Sequence, residues 1–155
     1  MMQTHRVAIL VPLAVGASAV VCTLMIHGLA LVANVHFVRH ERRLGRAGAG
    51  LRIDFVIVVV AMLLVFVAHL IEMALWAGLF LICGEFHDFG TAYYFSAVNY
   101  TTLGYGDVIM SPSWKLLGPL EAADGALMFG VSTAMIFTVI VHLVQARFED
   151  LRPAR

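Results

Sequence analysis

Residues Thr101–Asp107, reading Thr-Thr-Leu-Gly-Tyr-Gly-Asp, constrain the fold more than any other stretch of the chain. Two glycines one residue apart, with two threonines before them and an acid after, make poor helix. Such a run suits an extended backbone that turns its carbonyls in unusual directions, because glycine reaches angles that other residues avoid. The run lies between two apolar segments, Ile53–Cys83 and Leu116–Val144. Each is long enough to cross a bilayer, for which about 20 apolar residues suffice. Irregular backbone at membrane depth is tolerated only where protein buries it or where it lines a watery path.

Composition points the same way. Of 155 residues, 61% are hydrophobic and 13% charged, whereas an ordinary soluble domain has roughly 45–50% and about 25%. Lys+Arg and Asp+Glu number 10 each, so net charge offers no sign of a nucleic-acid partner. Cys22 and Cys83 lie within or at the end of apolar segments and read as small buried hydrophobes, not as a disulfide framework. A third apolar run, Val7–Val38, precedes the other two. The apolar core of a secretory leader is roughly 7–15 residues; this run is about twice that and predicts a retained spanning helix.

The placement of charge sets the expected topology. A short basic, glycine-rich loop, Arg39–Arg52, carries Arg39, Arg42, Arg43, Arg46 and Arg52. An arginine-free loop with Glu85, His87 and Asp88 follows the second run. Positive loops mark the cytoplasmic side, so the basic loop is expected inside and the 101–107 stretch outside. Arg147, Arg152 and Arg155 put the C-terminus inside, and three spans then leave the N-terminus outside, with Arg6 as the one dissenting charge. Tyr93, Tyr94 and Trp114 suit an outer aromatic belt, and Trp76 the outer half of its helix. The expected organisation is residues 1–52 as an N-terminal transmembrane helix with its basic cytoplasmic loop, residues 53–146 as one domain around the glycine-containing stretch, and residues 147–155 as a short cytoplasmic tail.

Thr91–Tyr100 covers about half a spanning length and cannot cross. It can enter as a short helix and return as extended chain. The C-terminal end of such a half-helix carries partial negative charge toward the bilayer middle and favours a cation there. Asp107, with Glu85 and Asp88, would concentrate cations at the mouth.

Thr102-Leu103-Gly104-Tyr105-Gly106-Asp107, preceded by Tyr94-Phe95-Ser96-Ala97-Val98-Asn99-Tyr100-Thr101, resembles the pore helix and selectivity filter of potassium channels. The helix, pore loop, helix arrangement over Ile53–Val144 resembles the bacterial two-transmembrane ion-channel family, with an extra N-terminal helix. The resemblance implies an all-α membrane protein with three transmembrane helices, a re-entrant pore helix and filter between the second and third, and a homotetrameric pore. It implies K+ held by Thr102, Leu103, Gly104 and Tyr105, with Gly106 completing the filter, and passive K+ conduction across a bacterial inner membrane. No cofactor and no enzymatic activity are implied. Backbone carbonyls can replace the water shell of the ion. Leu103 stands where the family usually has valine or isoleucine, a position that contributes its backbone. Tyr105 would brace the filter against the pore helix and Asp107 would anchor its outer end.

Other positions have competing readings. Val98 stands where some potassium channels carry a supporting glutamate, so Glu72 is expected to supply that carboxylate, with Trp76 nearby. His69 and Glu72, three apart on one helix face, read alternatively as a proton or metal site of a small membrane sensor or enzyme. A weakly selective cation channel is the alternative within the fold. Gly125 and Gly130 read as a gating hinge or as close helix packing through small residues. Glu121 and Asp124 read as partners of Lys115 or of a neighbouring subunit, Asp124 also as a cavity-lining charge. Arg39, Arg42, Arg43 and Arg46 read as orientation charges or as a site for anionic lipid. No helix has arginine at every third position, so the sequence predicts no voltage sensor.

Overall fold

The computed structural model describes residues 9–150, with side chains through Phe148. Arg6, Arg152 and Arg155 lie outside the described residues. The described chain is all-helical: α1 (Leu10–Arg43), α2 (Leu51–Ile82), α3 (Phe89–Tyr100) and α4 (Leu117–Asp150). Three of these, α1, α2 and α4, are long and apolar enough to cross a membrane, while α3, at 12 residues, is not. The chain is an integral membrane protein built as expected, with the short helix between the second and third long ones.

Helix α1 outruns its expected end. It continues through Asn34 and His36 to Arg43, so Arg39, Arg42 and Arg43 lie on a helix and the connecting loop shrinks to residues 44–50. Arginine, leucine and glutamate are good helix formers, and the change from apolar to charged composition does not interrupt the backbone. Gly45 ends the helix. At φ +68° its amide bonds the Arg42 carbonyl, and the Arg46 amide bonds the Glu41 carbonyl, the paired reverse bonds of a Schellman motif. The same device closes α2: Gly84 sits at φ +75°, its amide bonds Leu81, and the Glu85 amide bonds Phe80.

The described residues group into two compact units. One takes in the chain up to Ile26 together with His69–Phe129; the other takes in His27–Ala68 and the chain from Gly130 onward. The first has a core of Met73, Trp76, Phe80, Phe95, Tyr100, Leu117 and Met128, in which Phe80 stacks edge-on against Phe95 with ring centroids 5.3 Å apart. It contains α3 and the 101–107 segment. The second has a smaller core of Ile57, Val139 and Leu143, flanked by Phe37, Val38 and Met135. There Asp54 accepts from the Gly48 amide and from Arg147, each at 2.8 Å, pinning the α1–α2 loop to α4.

Candidate functional site

The site begins at the end of α3. Asp88 caps the start of this helix by accepting from the Thr91 amide at 2.8 Å, a bond that holds its carboxyl below the ordinary carboxylate range. At the other end the helix closes with a third Schellman pair. The Thr102 amide bonds the Asn99 carbonyl at 2.8 Å and the Leu103 amide bonds the Val98 carbonyl at 2.9 Å. The residue in the left-handed position, occupied by glycine in α1 and α2, is here Thr102, at φ +62°. A β-branched residue at positive φ is an outlier, with strain of about 1–3 kcal/mol. The helix cap is thus also the first turn of the following segment.

Left-handed backbone then recurs at every second position: Thr102 (φ +62°), Gly104 (φ +59°) and Gly106 (φ +74°), with no positive φ at Leu103 or Tyr105. The Gly104 amide also reaches the Val98 carbonyl, at 3.2 Å. In a trans peptide the C=O points opposite to the N–H of the next residue, and no peptide among the described residues is cis. The amides of Leu103 and Gly104 both turn back to α3, so the carbonyls of Thr102 and Leu103 both turn away from it. Two successive carbonyls on one side is the reverse of a β-strand pattern, and alternation of handed backbone is what aligns peptide groups in this way.

Residues 102–107 are exposed in the single chain, Leu103 by 58% and Tyr105 by 66%. The Tyr105 ring therefore finds little cover within its own chain. Asp107 is tethered: the Tyr94 hydroxyl donates to it at 2.7 Å, lowering its carboxyl below the ordinary range. Further on, Glu85 accepts from the Ser111 amide at 2.7 Å and from the Ser111 hydroxyl at 2.5 Å. All three acids of the expected mouth, Glu85, Asp88 and Asp107, therefore hold backbone or side-chain donors.

Behind the segment lie three buried carboxylates. Glu72 on α2, wholly buried, accepts from the Tyr100 hydroxyl at the end of α3. His69 Nδ1 lies 3.3 Å from Glu72 and 3.0 Å from the Tyr100 hydroxyl, so the three side chains form one cluster. Glu121 on α4, also wholly buried, accepts from the Ser96 hydroxyl at 2.5 Å; Ser96 sits equally within 2.8 Å of the Met73 carbonyl. Asp124 accepts from the Trp76 indole at 2.9 Å and from the Thr23 hydroxyl at 2.8 Å. These bonds join α1, α2, α3 and α4 in this unit around one polar layer. Asp124 is 3% exposed, held between Trp76 and Thr23.

The expected support residues are thus brought together unequally. Val98 acts through its backbone carbonyl, and Glu72 reaches the last residue of α3. Trp76 turns its indole to Asp124. The sequence did not single out Ser96, Tyr94, Thr23 or Tyr100 as hydrogen-bonding partners. The glycines of α4 also differ from each other. A Cβ on Gly125 would overlap the Tyr100 carbonyl, whereas nothing lies within 4 Å of one built on Gly130.

A sequence model of a family described as Ion channel matches residues 55–142. No curated protein and no solved structure matches the chain.

Proposed function

We propose, since the chain belongs to the ion-channel family, that it conducts potassium selectively, and that the ion passes along the carbonyls of Thr102, Leu103, Gly104 and Tyr105. The observation that carries this reading is the shared turn of the Leu103 and Gly104 amides onto the Val98 carbonyl. It leaves the carbonyls of Thr102 and Leu103 facing the same way, which is what a column of oxygen ligands requires. Left-handed backbone at Gly104 and Gly106 extends the alternation.

One chain offers one side of such a column. Its segment 102–107 is exposed polar backbone between membrane-spanning helices, a condition stable in lipid only when other protein or water covers it. Four copies around an axis supply the missing oxygens and cover Tyr105. The 102–107 segment faces the outside with the N-terminus, and the 44–50 loop, with the arginine-bearing helix ends that flank it, and the C-terminus face the cytoplasm of a bacterial inner membrane, by the rule that arginines stay inside. The role assigned to the 53–146 region is transport, not catalysis. The His69, Glu72 and Tyr100 cluster acts as a brace behind α3. No resident cofactor is needed, K+ being the cargo.

The test is the structure of the assembled protein in K+. Four-fold density with ions on the axis between Thr102 and Tyr105 is expected. A folded oligomer of another symmetry, or an axis empty of ions in saturating K+, would contradict the reading.

A further inference from the structure

The arginines at the end of α1 are not equivalent. Arg46 is drawn to Glu41 at 3.5 Å. Arg43 shares one space with His36, Arg39 and His40 and another with Arg39 and Arg42. Arg39 and Arg42, without Arg43 or Arg46, also line a groove of about 320 Å³ in the unit formed by His27–Ala68 and the chain from Gly130 onward. Its floor is Val35 and Val38 from α1 with Met135 and Val139 from α4, and His142 joins the two arginines at the rim. The pattern is the same on both helices. Positions 35, 38, 39 and 42 of α1 and positions 135, 138, 139 and 142 of α4 follow the i, i+3, i+4, i+7 spacing of one helix face. On α1 the two valines precede the two arginines; on α4 Met135, Thr138 and Val139 precede His142.

The groove is therefore apolar along one part and cationic at its tip, and no acid lines it. That tip falls where the apolar run of α1 gives way to charge, the depth at which headgroups lie. We propose that the groove holds one anionic phospholipid, with its phosphate against Arg39, Arg42 and His142 and an acyl chain along the valine and methionine floor. Free phosphate shares the headgroup chemistry but leaves the apolar floor uncovered. Because the lipid lies between α1 and α4, it couples the extra N-terminal helix to the last helix, giving α1 a function outside the 55–142 region. The inference rests on membrane insertion of the chain and not on ion conduction.

Native mass spectrometry of the detergent-solubilised protein, titrated with phosphatidylglycerol and separately with phosphatidylcholine, tests it without any flux measurement. Phosphatidylglycerol is expected to bind the wild type more tightly. Arg39→Gln and Arg42→Gln are each expected to weaken it about fivefold, with phosphatidylcholine binding unchanged. Arg46→Gln should leave both lipids unaffected. Thr138→Trp, at an exposed groove position, should weaken both lipids by filling the space. Inorganic phosphate should fail to displace the bound lipid. Equal binding of the two lipids by the wild type would overturn the proposal, as would an Arg46→Gln loss matching that of Arg39→Gln. So would displacement by inorganic phosphate. If the Arg39 and Arg42 variants lose oligomer but not lipid, the groove belongs to a second copy of the chain and the lipid assignment fails.

Discussion

The backbone carbonyl of Tyr100 fills the space that a Cβ on Gly125 would occupy. This contact sets the last helix directly against the end of α3, at the point where the 102–107 segment begins. The neighbour is backbone and cannot swing aside. Gly125 is thus packed against the end of α3, whereas nothing lies within 4 Å of a Cβ built on Gly130. Gly125→Ala should destabilise the protein by about 1–3 kcal/mol, as overpacking does. Gly130→Ala should leave the fold intact or slightly firmer, since alanine is favoured over glycine in helix by about 1 kcal/mol. Thermal melting of the two variants checks the pair. Equal melting temperatures would remove the distinction.

Tyr100 and Glu72 form a buried couple, so deleting either side is not neutral. Tyr100→Phe takes one hydroxyl donor from a wholly buried carboxylate that keeps His69 beside it, and the loss of one such hydrogen bond costs about 0.5–1.5 kcal/mol. Glu72→Gln should cost less, because an amide oxygen still accepts. The double variant should be less damaging than the sum of the two single ones, since they share one contact. Denaturation of the four proteins measures this, and additive losses would show that the two residues act independently.

Acidification should act on the outer end of the segment through Asp107. The Tyr94 hydroxyl donates to this carboxylate and lowers its pKa. For a depressed acid, the stabilising contribution is fully present above the ordinary carboxylate value and disappears as pH falls through the lowered one. In Tyr94→Phe the carboxyl should titrate at a higher pH than in wild type. Following the pH dependence of ion flux, or the Asp107 carboxyl signal by NMR, checks the direction. A carboxyl that titrates at the same pH in both proteins contradicts it.

The loop between α1 and α2 depends on Gly48 and Asp54 together. Gly48 sits at φ +84°, and a Cβ there would lie 3.2 Å from Ala146 and from the Arg147 amide. Asp54 holds both the Gly48 amide and Arg147. Gly48→Ala and Asp54→Ala should each raise hydrogen exchange across residues 44–50 and at the α4 end near Arg147. Exchange unchanged in both would mean that the loop is held by other contacts.

Much of the architecture was legible in the sequence because it rests on local patterns. Apolar run length gave the three long helices, and the Gly-x-Gly stretch marked where helix had to stop. The change to basic composition at Arg39 does not end α1, because charge is no helix breaker; Gly45, which sets the left-handed cap, marks the end. The brace behind the segment was legible only in part. Glu72 was visible as an acid on an apolar helix, but its partner Tyr100 is 28 residues away. Ser96 with Glu121 spans 25 residues, and Thr23 with Asp124 spans 101. Helical spacing reports which residues share a face of one helix and carries no information on which faces meet. Thr102 as a helix cap was hidden for a related reason, since glycine, and not threonine, signals that geometry.

Potassium selectivity through the carbonyls of Thr102 to Tyr105 is tested most directly by the reversal potential of purified protein in planar bilayers with K+ on one side and Na+ on the other. A reversal potential far from zero, of the sign produced by K+ leaving its own side, is the predicted result, collapsing toward zero when the left-handed Gly104 is replaced by alanine in protein that still assembles. A reversal potential near zero for the wild type, with current carried equally by the two ions, would contradict it.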